Sequence, residues 1–175
     1  MIKFCLFIYN QDMTIIVKNK ETLIFDNFTF KCCVGKNGTT SKKNEGDKKT
    51  PKGLFSLGSV YYRKDRNLKP ITKLHSIPIT KKMGWCNDIK NKKYNKLIKI
   101  NNSTRHEKMF RKDYKYDYII PINYNTKNTQ IGKGSAIFIH LSKTYKKTAG
   151  CVAMKKKDLL ILLKLINRKT KIKIL

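Results

Sequence analysis

Until the last quarter of this chain its apolar residues come in runs too short for helices, and that rhythm limits the fold more than any other feature. From Met1 to Val34 the text reads KFCLFIY, MTIIVK, TLIF and FTFKCCV, separated by Asn, Asp and Lys. Short or alternating apolar runs are what strands with a buried face require, so this stretch predicts a meander of strands. LFSLGSVYYR, YDYIIPINYN (116–125) and GSAIFIHL (134–141) have the same β-branched and aromatic content and predict further strands. Only KKKDLLILLKLINR is long enough for a helix, about three turns, with a broad apolar face suited to packing on a sheet. KIKIL closes as a strand. The polar stretch from Gly35 to Gly53, with four Gly and a Pro, predicts an exposed loop. Residues 64–115 are irregular, with Pro70, Pro78 and Gly84, and predict a long surface excursion of the kind that carries function. The expected fold class is mostly β, a β-sandwich-like mixed sheet with one or two packed helices. It forms a single domain over residues 1–175, of which 1–34 are the N-terminal strands.

Forty Lys and Arg against 11 Asp and Glu in 175 residues give a formal charge of +29, yet 40% of residues are hydrophobic, enough for an ordinary core. General disorder is excluded, and no run approaches the ~20 apolar residues of a membrane-spanning helix. KFCLFIY has no small-residue cleavage site after it and meets Asn10, Gln11 and Asp12 at once, so it reads as a first strand, not a leader. Thirty-five of the 40 basic residues are Lys, spread along the whole chain with 15 Asn. Nucleic-acid readers favour clustered Arg, so no nucleic-acid partner is expected, while electrostatic association with an anionic envelope stays open. The five cysteines include no CxxC pair and no metal-ligand spacing, so no metal, no cofactor and no disulfide framework is expected. Adjacent Cys32 and Cys33 should face opposite sides of a strand.

The strongest chemical signal is His140 at a strand end with Cys151 eleven residues later, directly after Gly150 in TAGC. A thiol is mostly protonated at neutral pH and needs a base or cation to become a nucleophile. His140 is a candidate for that base, able to accept the thiol proton and return it to a leaving amine. A Gly before the nucleophile lets the amides of Gly150 and Cys151 turn toward a developing oxyanion. On spacing alone the pair is weak evidence, and a structural His with a buried Cys is the favoured reading.

The text IFIHLSKTYKKTAGCVAM resembles the L,D-transpeptidase (YkuD-type) catalytic-domain signature, in which a strand-end His is followed by Ser-His-Gly-Cys and then Arg. EGDKKTPKGLFSLG is similar to the family's Thr-Pro-x-Gly loop and strand, and GWCNDIKNKKYN, HEKMFRKDYKYDYII and INYNTKNTQIGKGSAIFIH extend the resemblance from about Gly35 to the C-terminus. The resemblance implies Cys151 as nucleophile, His140 as general base, Gly150 with the Cys151 amide as oxyanion hole, and Thr148 in the place of the motif Ser. Ala149 replaces the motif His and Ala153 the motif Arg, which puts substrate choice in play. It implies that the chain is a cysteine acyltransferase acting on peptidoglycan stem peptides. Such an enzyme forms a thioester, releases a terminal D-amino acid and cross-links to an amine of a second stem. L,D-carboxypeptidase trimming and a catalytically lapsed wall-binding module are the alternatives, and an active site would make Cys151 more reactive than the other cysteines. The substrate class implies a periplasmic or otherwise extracytoplasmic location, although the start shows no convincing signal peptide.

Six further residues are candidates for substrate binding. Trp85 either walls a pocket or anchors its loop. Tyr94 and Asn95 either bond a peptide or serve turn chemistry, the reading preferred for the second Tyr-Asn pair at Asn125. His106, beside Glu107, either orients substrate or belongs to a solvated loop pair. Arg63 and Arg66 are candidates for a substrate carboxylate in place of the missing motif Arg. His75 has no recognisable partner and reads as structural.

Overall fold

The computed structural model describes residues 13–101 and 103–175, so KFCLFIY lies outside the described residues. The remaining N-terminal runs become β1 (Thr14–Val17), β2 (Thr22–Phe25) and β3 (Phe28–Cys33). The predicted loop carries β4 (Thr39–Thr40) and β5 (Thr50–Pro51), followed by β6 (Gly53–Ser56) and β7 (Val60–Tyr62). The excursion holds β8 (Ser76–Pro78), β9 (Met83–Cys86), β10 (Leu97–Lys99) and β11 (His106–Lys108). β12 (Tyr118–Pro121), β13 (Phe138–Leu141), β14 (Val152–Met154), α1 (Lys156–Leu165) and β15 (Lys171–Ile174) complete the chain.

Ten strands form one mixed sheet in the order β6-β15-β1-β2-β3-β14-β13-β12-β7-β8. LFSLGSVYYR is two strands and not one, with Gly58 and Ser59 unpaired as strand residues between the Leu57 bridge and β7. A Cβ at Gly58 would lie 3.1 Å from the Pro121 ring, a tighter contact than side chains ordinarily make. The Gly58 N–H donates to Pro121 O at 2.8 Å, and Leu57 bridges Ile122. β6 therefore pairs with β15 while its continuation β7 pairs with β12, and the sheet curls until both ends share one segment of chain. Mostly β architecture with a mixed sheet is as expected, and of the one or two helices one is present among the described residues.

Alternation along each strand separates two cores. Ile139, Leu141, Val152 and Met154 point to the main core with Leu159, Leu162 and Leu163 of α1. Asp158 in the first turn of α1 and Lys164 in the last suit the helix dipole. On the opposite face, Phe138 and Cys151 join Tyr61, Trp85, Met109, Tyr116 and Ile119 in a second core. The small sheet β10-β9-β11 covers it, so the excursion is ordered and folds over this face. The loop 35–53 is not wholly exposed either: Lys43 and Thr50 are buried.

Candidate active site

β13 and β14 run parallel, with His140 opposite Ala153 and Ile139 opposite Val152. That register and the period of two put Phe138, His140, Cys151 and Ala153 on one face, with His140 and Cys151 diagonal neighbours across adjacent strands. The Cys151 thiol is held by backbone: the Phe138 N–H donates to Sγ (3.4 Å), and Sγ donates to Ala136 O (3.3 Å). His140 Nδ1 lies 3.0 Å from Leu141 O. A carbonyl only accepts, so Nδ1 carries the proton and Nε2 keeps its lone pair. The Tyr116 ring stands edge-on to both Phe138 and His140, with centroids 5.9 and 5.6 Å away.

Burial keeps both groups neutral. It pushes the Cys151 thiol up to about 12, against the Phe138 amide and the Lys43 charge, which pull it down. Burial likewise lowers His140 to about 4, helped by Lys115 and Arg111 and opposed by the Leu141 carbonyl. The site therefore holds a neutral thiol and a neutral imidazole on one face of the paired strands. Tyr116 is raised too, first by burial, with the Glu107 carboxylate adding to it.

The TAGC segment is docked on the end of β3 through Thr148 N to Val34 O and Lys36 N to Thr148 O. Thr148 Oγ1 donates to Cys151 O at 2.6 Å and accepts the Gly150 N–H at 3.1 Å, and Thr50 Oγ1 also reaches Cys151 O. The Gly150 amide is thus committed to Thr148, and the Cys151 amide is the donor adjoining the thiol. Gly150 has φ +140, and a Cβ there would sit 3.0 Å from Lys49 O, so the turn tolerates only Gly.

Trp85, Tyr94 and Asn95 are brought to the site as braces. Asn95 Oδ1 accepts both the Trp85 Nε1–H (2.9 Å) and the Ala136 N–H (3.1 Å), while its Nδ2 donates to the carbonyls of Tyr124 and Asn125. Ala136 has φ +52, a left-handed conformation that this bond helps hold, and its carbonyl is the thiol's acceptor. Tyr94 is buried, with its hydroxyl on Glu45 and the Gly134 N–H donated to it at 3.0 Å. Glu45 also accepts from Ser135 (2.7 Å), tying three loops together.

His106 and Glu107 point to opposite sides of β11. His106 lies over Gly84 with Nδ1 on Thr104 O (2.7 Å), whereas Glu107 pairs with Arg111 (3.1 Å) near Tyr116. Arg63 and Arg66 have other partners. Arg63 is bidentate to Asp65 and stacks on Phe110 at 3.5 Å, and Arg66 holds Asp117 and the carbonyls of Lys112 and Asp113. One cation near the site is Arg111, 5.1 Å over the Tyr116 ring and bound to Asp113. Arg111, Tyr116, Glu45 and Lys43 were not singled out by sequence reasoning, although Arg111 and Tyr116 lie within HEKMFRKDYKYDYII. Lys43 has no such cue: its ammonium donates to Asp47 (2.5 Å) and Asn44 O, and its stem passes close to Gly134 and Gly150. Among the described residues no three His, Cys, Asp or Glu side chains cluster as metal ligands.

A curled, mostly β mixed sheet with one helix packed on it, and a Gly-Cys turn beside a strand-end His, is the class of catalytic domain at hand. The sequence model of the L,D-transpeptidase catalytic domain (YkuD) matches residues 6–174, and the chain belongs to that family. The match begins inside KFCLFIY, well before the Gly35 at which the motif-level resemblance starts. No curated protein and no solved structure matches the chain at a comparable level.

Proposed function

We propose that this chain is a peptidoglycan L,D-transpeptidase with Cys151 as nucleophile and His140 as general base, working outside the cytoplasm. The observation that carries the reading is the fixed tautomer of His140 on the same face of β13 and β14 as the thiol. The Cys151 S–H proton passes to His140 Nε2 as sulfur forms a bond to the stem-peptide carbonyl carbon. The tetrahedral oxyanion is stabilised by the Cys151 amide. Collapse breaks the C–N bond, and the imidazolium gives its proton to the departing amine of the terminal D-amino acid. An amine of a second stem then attacks the thioester, loses its proton to His140, and the thiolate regains one from the imidazolium. Water in place of the amine makes the product a trimmed stem.

A proton transfer concerted with attack suits a thiol near 12 and an imidazole near 4, since neither ion is stable alone in the buried site. The same burial favours the lapsed-module reading, in which Cys151 never turns over. Mass spectrometry of defined disaccharide-tetrapeptide muropeptides after incubation with the protein separates them. Cross-linked dimers, absent with Cys151→Ala and His140→Ala, are expected. Trimmed monomers alone would mean carboxypeptidase action, and unchanged muropeptides with a folded protein would mean a lapsed module.

A further inference from the structure

The two most exposed large apolar side chains of the described residues sit three apart on one loop: Leu68 is 87% and Ile71 73% exposed. The loop is pinned. Pro70 between them is buried, the Tyr118 hydroxyl donates to Leu68 O at 2.8 Å, and Lys156 Nζ donates to Asn67 Oδ1 at 2.7 Å. Leu68 and Ile71 are therefore presented outward by a fixed backbone, and burying either elsewhere in the chain is not an option the loop offers. Behind them a groove of about 430 Å³ runs to α1, where Leu160 lines it between Lys156 and Lys164. Those three residues recur every four positions, one line along the helix.

The charges around this apolar tip have one sign. Lys64, Lys69 and Lys73 are exposed on the same loop, and Lys156 and Lys164 flank the groove on α1. The neighbouring carboxylates are already neutralised, Asp65 by Arg63 and Asp117 by Arg66. Asp158 of α1 lies off the Lys156-Leu160-Lys164 line, close enough to Tyr145 to raise its pKa. Apolar side chains at a tip ringed by unopposed lysines complement a surface that is anionic outside and apolar beneath.

We propose that the 64–73 loop and the outer line of α1 form a docking face for an anionic lipid bilayer, with Leu68 and Ile71 entering the acyl boundary and the lysines contacting headgroup phosphates. Charge alone does not define such a face, because lysines cover the whole chain; the apolar pair does. The face is separate from His140 and Cys151, so the proposal stands or falls whatever reaction they catalyse.

Sedimentation of the full chain with vesicles tests it, at 0.15 M salt, comparing phosphatidylglycerol/phosphatidylcholine mixtures with phosphatidylcholine alone. The expected result is partition to the anionic vesicles only, weakened at least tenfold by Leu68→Ser with Ile71→Ser, a pair of changes that leaves every charge in place. In a Trp85→Phe background, Leu68→Trp supplies the only indole, and its fluorescence should shift to the blue on anionic vesicles. Binding by the double Ser variant within twofold of wild type would overturn the proposal in favour of diffuse lysine electrostatics. So would equal binding to neutral vesicles, or an indole that stays in water while the Leu68→Trp variant sediments. Both positions are exposed, so the Ser variants keep the fold, which circular dichroism checks.

Discussion

The two faces of β13 and β14 are equally dry and chemically opposite. On one, Ile139, Leu141, Val152 and Met154 are at most 2% exposed and meet the leucines of α1. On the other, His140 and Cys151 are 8% exposed, and the thiol and His140 Nδ1 are tied to backbone groups. Burial therefore does not mark the site. What differs is the cover: a helix seals the first face, while the small sheet β10-β9-β11 and loops joined through Asn95, Tyr94 and Glu45 close the second. Loops can part to admit a substrate at lower cost than a packed helix, so under the proposed function stability and chemistry are divided between the two sides of the same strands.

The largest test of that division is Cys151→Ala, which should lower kcat/KM for stem-peptide turnover by about 10⁴-fold or more with little change in Tm. Retained turnover would break it. Leu162→Ala on the other face should do the reverse. It removes a fully buried side chain and should cost about 2–5 kcal/mol in urea unfolding, with kcat per folded molecule unchanged.

Acid should act through the site face. His140 has a pKa of about 4 in the folded chain against an ordinary 6.5. Between those values the unfolded chain binds more protons, so stability is full above pH 6.5 and falls as pH drops toward 4, by up to about 3 kcal/mol. Asp47 behaves differently. Burial would raise its carboxyl, but Lys43 and the amides of Asn44 and Lys49 hold it below the ordinary 3.8, so its contribution is lost only at lower pH. Unfolding at pH 7 and 4.5 reads the His140 effect, and His140→Gln should flatten it.

Asn95→Ala leaves Trp85 Nε1 and the Ala136 N–H without their acceptor, at a cost of about 1–3 kcal/mol. It also frees the carbonyl that orients the thiol, so kcat should fall about tenfold, and a purely structural Asn95 would leave kcat unchanged. The smallest effect is that of Lys43→Met, which keeps the stem beside Gly150 but removes a charge that lowers the thiol pKa. Iodoacetamide alkylation of Cys151 should slow about threefold.

Strands were legible as short apolar runs, TIIV and TLIF, or as alternation, KIKI, and the helix was legible from its length. LFSLGSVYYR misled because apolar content does not report a change of partner: its first half pairs with β15 and its second with β12. His140 and Cys151 could be paired from the sequence as the proposed base and nucleophile because they lie close in sequence, and the register of β13 with β14 puts them on one face. Arg63 and Arg66 were chosen for charge, but a guanidinium's role depends on which carboxylate lies near, and Asp65 and Asp117 claim them. Lys43 was lost among 35 lysines, since nothing in a sequence distinguishes one buried lysine from its solvated neighbours.

The most direct test of the central claim is intact-protein mass spectrometry of a rapidly quenched mixture of the chain with a tetrapeptide acyl donor. The expected result is a mass increase equal to the donor less its terminal D-amino acid, mapped to the peptide bearing Cys151, lost on hydroxylamine treatment and absent from Cys151→Ala. Turnover with no adduct on Cys151, or an adduct on Cys33 or Cys86 that survives Cys151→Ala, would contradict it.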